Sequence, residues 1–172
     1  MTEKSKTDTR DNADEFKEIY AHTQTLTPEI AQVVDEGVLW SGLMRFVREP
    51  EKFNEQIQNS HIKAGAGDRP DTVFERILDF GSHQVNEVVY LNESAKILEF
   101  HVQGTKDYPS SLLRMEIKTA DKELPAVTFS YYAAEEPQVP AALRSLIERA
   151  WAEKDKDILE RIILEKLELL KN

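Results

Sequence analysis

The stretch TVFERILDFGSHQVNEVVYL, Thr72–Leu91, decides the fold. Both halves alternate apolar with polar residues and are rich in β-branched and aromatic side chains, the pattern of paired strands. Gly81-Ser82 between them matches a two-residue hairpin turn whose first central residue needs positive φ. That turn sets the register: Phe80 faces His83, Leu78 faces Val85, Arg76 faces Glu87 and Phe74 faces Val89. Side chains alternate between the faces of a sheet. Phe74, Leu78, Val85 and Val89 therefore share an apolar face, and parity puts Arg76 and Glu87 on it too. Two readings of that buried-side pair stand open. It anchors a ligand, the guanidinium orienting a carboxylate or enolate and Glu87 tuning it or serving as a base. Or it is a cross-strand ion pair contributing up to about 1 kcal/mol.

Working outward, Ala95–Val102 supplies Leu98, Phe100 and Val102 to the same face and sends His101 to the other. Ser111–Lys118 and Ala126–Tyr132 read as two more strands, His61–Ala64 as a short one, and Phe16–Leu26 as the first. The spacers between the later strands carry no helical period, which implies antiparallel neighbours rather than βαβ units. After the first strand, Thr27-Pro28 opens a short helical turn through Val34, and Asp35 caps a firmer helix. Val34 and Leu39 are spaced as a hydrophobic staple, and Leu39, Trp40, Leu43, Met44 and Val47 form one apolar face. Pro50 stops that helix at Glu49, and a second short helix is expected over Glu51–Gln56.

From Pro140 to Leu170 there is no glycine and no further proline. Leu143, Ile147, Ala150, Trp151, Ile158, Ile162 and Leu169 lie near one stripe of a long helix, interrupted by the charged run AEKDKD at 152–157. This long amphipathic element is the cover available for the apolar face of the sheet. The expected class is α+β: a curved antiparallel sheet of about seven strands wrapped around a long C-terminal helix, with two short helices after the first strand. Residues 15–172 are expected to form one domain. Residues 1–14 hold no large apolar side chain except Met1 and read as a disordered polar tail.

Composition narrows the function. With 32 acidic and 22 basic residues the net charge is −10, which disfavours nucleic acid and anionic membrane as partners. There is no cysteine, so disulfides, thiolate metal sites and cysteine nucleophiles are absent. No signal peptide or membrane-length apolar run is visible, and a cytoplasmic location is expected. The four histidines, His22, His61, His83 and His101, have no local metal spacing, so no metal and no cofactor are expected. Gly65-x-Gly67 lacks the third glycine of a dinucleotide fingerprint and reads as a turn. No Gly-x-Ser-x-Gly elbow supports a serine nucleophile.

The element order resembles the helix-grip superfamily of START lipid-binding domains, plant pathogenesis-related allergens and bacterial aromatase/cyclases. The segment VVDEGVLWSGLMRFVREPEKFNEQI, Val33–Ile57, resembles more narrowly the AtaL-like branch, through Trp40-Ser41-Gly42-Leu43 and Pro50-Glu51-Lys52-Phe53. The loop Gly65-Ala66-Gly67-Asp68 falls where this superfamily carries a glycine-rich connection, and Arg76 resembles an arginine common at the matching strand. The resemblance spans residues 16–170 and implies a hydrophobic cavity between sheet and helix, with no single activity attached. The ligand-binding candidates are Arg76 and Glu87 as polar anchors with Phe74, Val89, Phe100, Tyr131 and Trp151 around them. Glu87 and Tyr131 are the candidates for acid–base work in an enzyme reading. The expected partner is a small hydrophobic or aromatic molecule. The alternatives are a polyketide cyclase-like enzyme and an interaction module whose cavity has closed, the chain being a monomer or weak homodimer.

Overall fold

The computed structural model describes residues 16–65, 72–119 and 124–171. The expected polar tail, and Ala66, Gly67 and Asp68 of the glycine-containing loop, lie outside the described residues. The chain runs β1 (Lys17–Thr25), α1 (Pro28–Ala31), α2 (Glu36–Arg48), a 3-10 turn (Pro50–Lys52) and β2 (Asn59–Gly65). It continues with β3 (Val73–Asp79), β4 (Gln84–Asn92), β5 (Ile97–Val102), β6 (Ser111–Thr119), β7 (Pro125–Ala133) and α3 (Ala141–Leu170). All seven strands join one antiparallel sheet in the order β1-β7-β6-β5-β4-β3-β2. Among the described residues no helix is long and apolar enough to cross a membrane.

The β3–β4 hairpin has the register read from its turn: Leu78 with Val85, Arg76 with Glu87, Phe74 with Val89. Gly81 takes φ +85°, which glycine adopts without a Cβ penalty. In α2, Asp35 Oδ1 accepts the amide proton of Val38 at 2.8 Å and satisfies one of the free donors of the first turn. The helix expected over Glu51–Gln56 is a single 3-10 turn instead. There the Asn54 side chain accepts the Gln56 amide at 3.0 Å, a local bond that competes with helix continuation.

Gly42, in the Trp-x-Gly-Leu segment, has a packing reason. A Cβ placed there would stand 2.4 Å from Ile162 Cγ2 of α3, so its absence lets α2 and α3 approach. Arg45 Nε donates to Glu165 at 3.0 Å and Lys166 Nζ to Ser41 Oγ at 2.9 Å, tying the same two helices at their rim. Leu39, Leu43 and Val47 of α2, Ile158, Leu159, Ile162 and Ile163 of α3, and Leu98, Met115, Val127 and Phe129 of the sheet fill the core.

The long helix departs from its expected stripe. Leu143 is 46% and Leu169 58% exposed. At about 1.5 Å per residue a 30-residue helix is about 45 Å long, whereas a nine-residue strand spans about 30 Å. The sheet cannot cover both ends of α3, and only its middle and the following turns are buried. Its first turns are held by polar contacts. The register of β1 against β7 shifts between Glu18 and Tyr20, and at that irregularity the Ile19 carbonyl accepts from Arg144 Nη2 at 3.0 Å.

Candidate functional site

Between the sheet and the middle of α3 lies a cavity of about 310 Å³. Cross-strand register sets its floor. Arg76, Glu87, Val102, Ser111 and Ala133 form one row across β3, β4, β5, β6 and β7, with Phe100, Leu113 and Tyr131 in the next. Phe46 of α2 closes one side, and Trp151, Lys154, Asp155 and Ile158 of α3 form the roof. Of the residues singled out in the sequence, Arg76, Glu87, Phe100, Tyr131 and Trp151 line this space. Phe74 and Val89 point to the same side of the sheet but lie within the packed core.

Two buried polar groups belong to the cavity. In the first, Arg76 is 3% and Glu87 7% exposed. Arg76 Nε donates to Glu87 Oε2 at 2.7 Å and Nη1 to the Val47 carbonyl at 2.6 Å. The guanidinium carbon stands 4.9 Å from the centre of the Phe100 ring, within cation–π range. The pair thus fixes the last turn of α2 onto the sheet while presenting a polar wall.

The second group was not read from the sequence. Asp155, 1% exposed on α3, receives the Tyr131 hydroxyl at 2.5 Å and His22 Nε2 at 2.8 Å, both on Oδ2. Gln24 Nε2 lies 3.3 Å from His22 Nδ1, which leaves the proton on Nε2. His22 stacks flat on Phe129, with centroids 4.9 Å apart, and Tyr131 stacks on Trp151 at 4.7 Å. Burial and the adjoining Asp155 carboxylate push the Tyr131 phenol well above its usual range, so it remains a hydrogen-bond donor. Asp155 Oδ1, also buried, has no hydrogen-bond partner, and Lys154 Nζ stands 3.8 Å from it.

His101 lies on the outer face beside Glu99 and Arg114, away from the cavity. Arg114 Nη2 donates to Glu99 Oε2 at 2.8 Å. His101 Nε2, 3.9 Å from Glu99 Oε1, is too far for a direct hydrogen bond but exerts a favourable field. His101 first, and Arg114 after it, hold the Glu99 carboxyl down to about 2 against desolvation. His61 sits within β2, and His83 stacks between Phe80 and Tyr108. Among the described residues no three His, Asp or Glu side chains are grouped to hold a metal ion.

A sequence-family model described as AtaL, acetylaranotin biosynthesis cluster protein L, matches residues 20–162. No curated protein sequence matches the chain. Solved structures do match in fold. Ara h 8.0201 aligns at a TM-score of 0.59 and 13% identity over 87% of this chain and 97% of its own. The ZhuI aromatase/cyclase from Streptomyces sp. R1128 aligns at 0.58 and 13% identity, over 86% of this chain and 92% of its own. TTHA0849 from Thermus thermophilus aligns at 0.59 and 11% identity, over 87% of this chain and 97% of its own. These likenesses show a shared fold.

Proposed function

The chain belongs to the AtaL family and has a helix-grip fold, and from that premise we propose that it binds a small hydrophobic or aromatic molecule between the sheet and α3. The observation that carries this reading is the cavity itself: about 310 Å³, walled by Phe46, Phe100, Leu113, Tyr131, Trp151 and Ile158, with two buried polar groups on its surface. That volume lies at the small end of ligand pockets, suited to a compact ring system, and few polar groups on apolar walls is the usual composition of such a site. Arg76 and Glu87 serve as its polar wall, Phe100, Tyr131 and Trp151 as its aromatic surfaces, and Phe74 and Val89 pack behind them.

The test is a fluorescence titration with 8-anilinonaphthalene-1-sulfonate on the native chain and on Val102→Trp, which fills the floor. Saturable one-to-one binding lost in the filled variant supports the reading. Binding that is unsaturable, or unchanged in Val102→Trp, contradicts it.

A second reading, a cyclase-like enzyme, is favoured by one observation. Asp155, His22 and Tyr131 form a hydrogen-bonded acid–base set beside the aromatic walls. Cyclisation of a reactive poly-ketone needs a shaped cavity and modest proton transfer rather than a nucleophile. Glu87 is less suited to act as base because its charge is paired with the Arg76 guanidinium, and Tyr131 with Asp155 is the working group. Activity lost in Asp155→Asn with binding retained would favour the enzyme, and binding without turnover would favour the carrier.

A further inference from the structure

The two oxygens of the Asp155 carboxylate are in different situations. Oδ2 is held by two donors, while Oδ1 is buried and lacks a hydrogen bond. A buried acceptor without a donor is costly, more so when it carries charge. Tyr131 and His22 fix the carboxylate through Oδ2, so it cannot rotate to satisfy Oδ1 without giving up those bonds. Lys154 Nζ, at 3.8 Å, is beyond hydrogen-bond reach of Oδ1. That gap has a definite size. A single oxygen placed about 2.8 Å from each atom, an ordinary hydrogen-bond length, closes it. Such an oxygen must donate to Oδ1 and accept from the ammonium, which a hydroxyl does and an ether or ketone oxygen does not. Both Lys154 and Asp155 line the cavity, next to the stacked rings of Tyr131 and Trp151.

We infer that Lys154 and Asp155 form a hydroxyl-recognition site, and that the cavity selects aromatic or enolic ligands carrying an O–H over those whose oxygen is capped. The inference rests on the reading of the cavity as a ligand site and adds the ligand class. His22 and Tyr131 are positioning residues: they hold Asp155 in place and touch the ligand only through it or through ring contact. Glu87 lies across the floor, about three strand spacings or roughly 14 Å from Tyr131, and Arg76 lies one strand further, so the pair does not share this contact.

The experiment compares 2-naphthol with 2-methoxynaphthalene, titrated into the full chain and followed by calorimetry. The two probes share rings and oxygen and differ in the donor. 2-Naphthol should bind at least about tenfold tighter, the effect of one hydrogen bond to a charged acceptor. Asp155→Asn should abolish the difference between the two probes. Should Asp155→Asn not fold, Lys154→Met at the partly exposed neighbour gives an independent reading, reducing the preference several-fold. Equal binding of the two probes by the native chain overturns the hydroxyl site while the cavity reading survives. Preference for 2-naphthol that persists unchanged in both variants also overturns it. Failure of both probes to bind removes the cavity reading and this inference together.

Discussion

The two buried polar groups of the cavity are built on opposite plans. Arg76 and Glu87 meet each other: the guanidinium spends one donor on the carboxylate, another on the Val47 carbonyl and its face on Phe100. Asp155 meets His22 and Tyr131 with one oxygen only and keeps the other without a hydrogen bond. The first group pairs charge with charge and joins α2 to β3 and β4. The second is held rigid but left incomplete. Burial alone does not separate a structural charge from a recognition charge, since both groups are nearly inaccessible. Charge pairing does: the Glu87 carboxylate is met by a guanidinium at 2.7 Å, whereas the nearest ammonium to Asp155 Oδ1 stands at 3.8 Å.

That contrast is open to test by substitution. The largest effect is expected at the Arg76–Glu87 pair. Glu87→Ala leaves the Arg76 guanidinium buried without its carboxylate and should cost about 3–5 kcal/mol in urea unfolding. Arg76→Met combined with Glu87→Leu, which removes both charges and keeps volume, should recover most of that loss. A double variant as unstable as Glu87→Ala would show that the pair does more than neutralise itself.

Next in size is Tyr131→Phe, which removes a donor from Asp155 and should cost about 1–3 kcal/mol. It also changes the alkaline limb. Folding raises the Tyr131 phenol above its ordinary value of 10.0, so above pH 10 the unfolded chain loses a proton that the folded chain keeps. This contribution is complete below that pH and is lost as pH rises. The variant should show a shallower alkaline decline in a pH series of denaturation midpoints. Asp155→Asn, which keeps an oxygen for Tyr131 and removes the charge on an oxygen lacking a partner, should move stability by only about 1 kcal/mol. A loss as large as that of Glu87→Ala would erase the distinction between the two groups.

On the outer face the effect is read from its pH dependence. Glu99 is held down to about 2 from 4.5 by His101 and Arg114. A depressed carboxyl contributes stability above its unfolded value and loses it as pH falls through the folded one. Glu99→Gln should therefore flatten the decline between about pH 4.5 and 2 and leave cavity ligands unaffected.

The two groups also differed in how legible they were. Arg76 and Glu87 could be read because a two-residue turn fixes the register of its hairpin, and register fixes which charges share a face with Phe74 and Leu78. Asp155 offered an equivalent signal that the charged run AEKDKD concealed. Trp151, Asp155, Ile158 and Ile162 are spaced four, three and four apart, which puts the aspartate in phase with the buried stripe. His22 shares its face of β1 with Tyr20 and Gln24, but its meeting with Asp155 requires β1 to pair with β7, a contact between strands distant in sequence that no local pattern announces. Parity placed Phe74 and Val89 on the inner face. It could not tell core from cavity along that face, because the division is made by where α2 lies. The exposed Leu143 and Leu169 have a simpler cause, a helix longer than the sheet that covers it.

The most direct test of the central claim, that this fold holds a small molecule against Asp155 and its aromatic neighbours, is native mass spectrometry of the freshly purified chain, repeated after incubation with 2-naphthol. The account predicts a discrete added mass that denaturation releases, either as purified or after incubation, and its loss in Val102→Trp. A bare polypeptide mass in both measurements would contradict it.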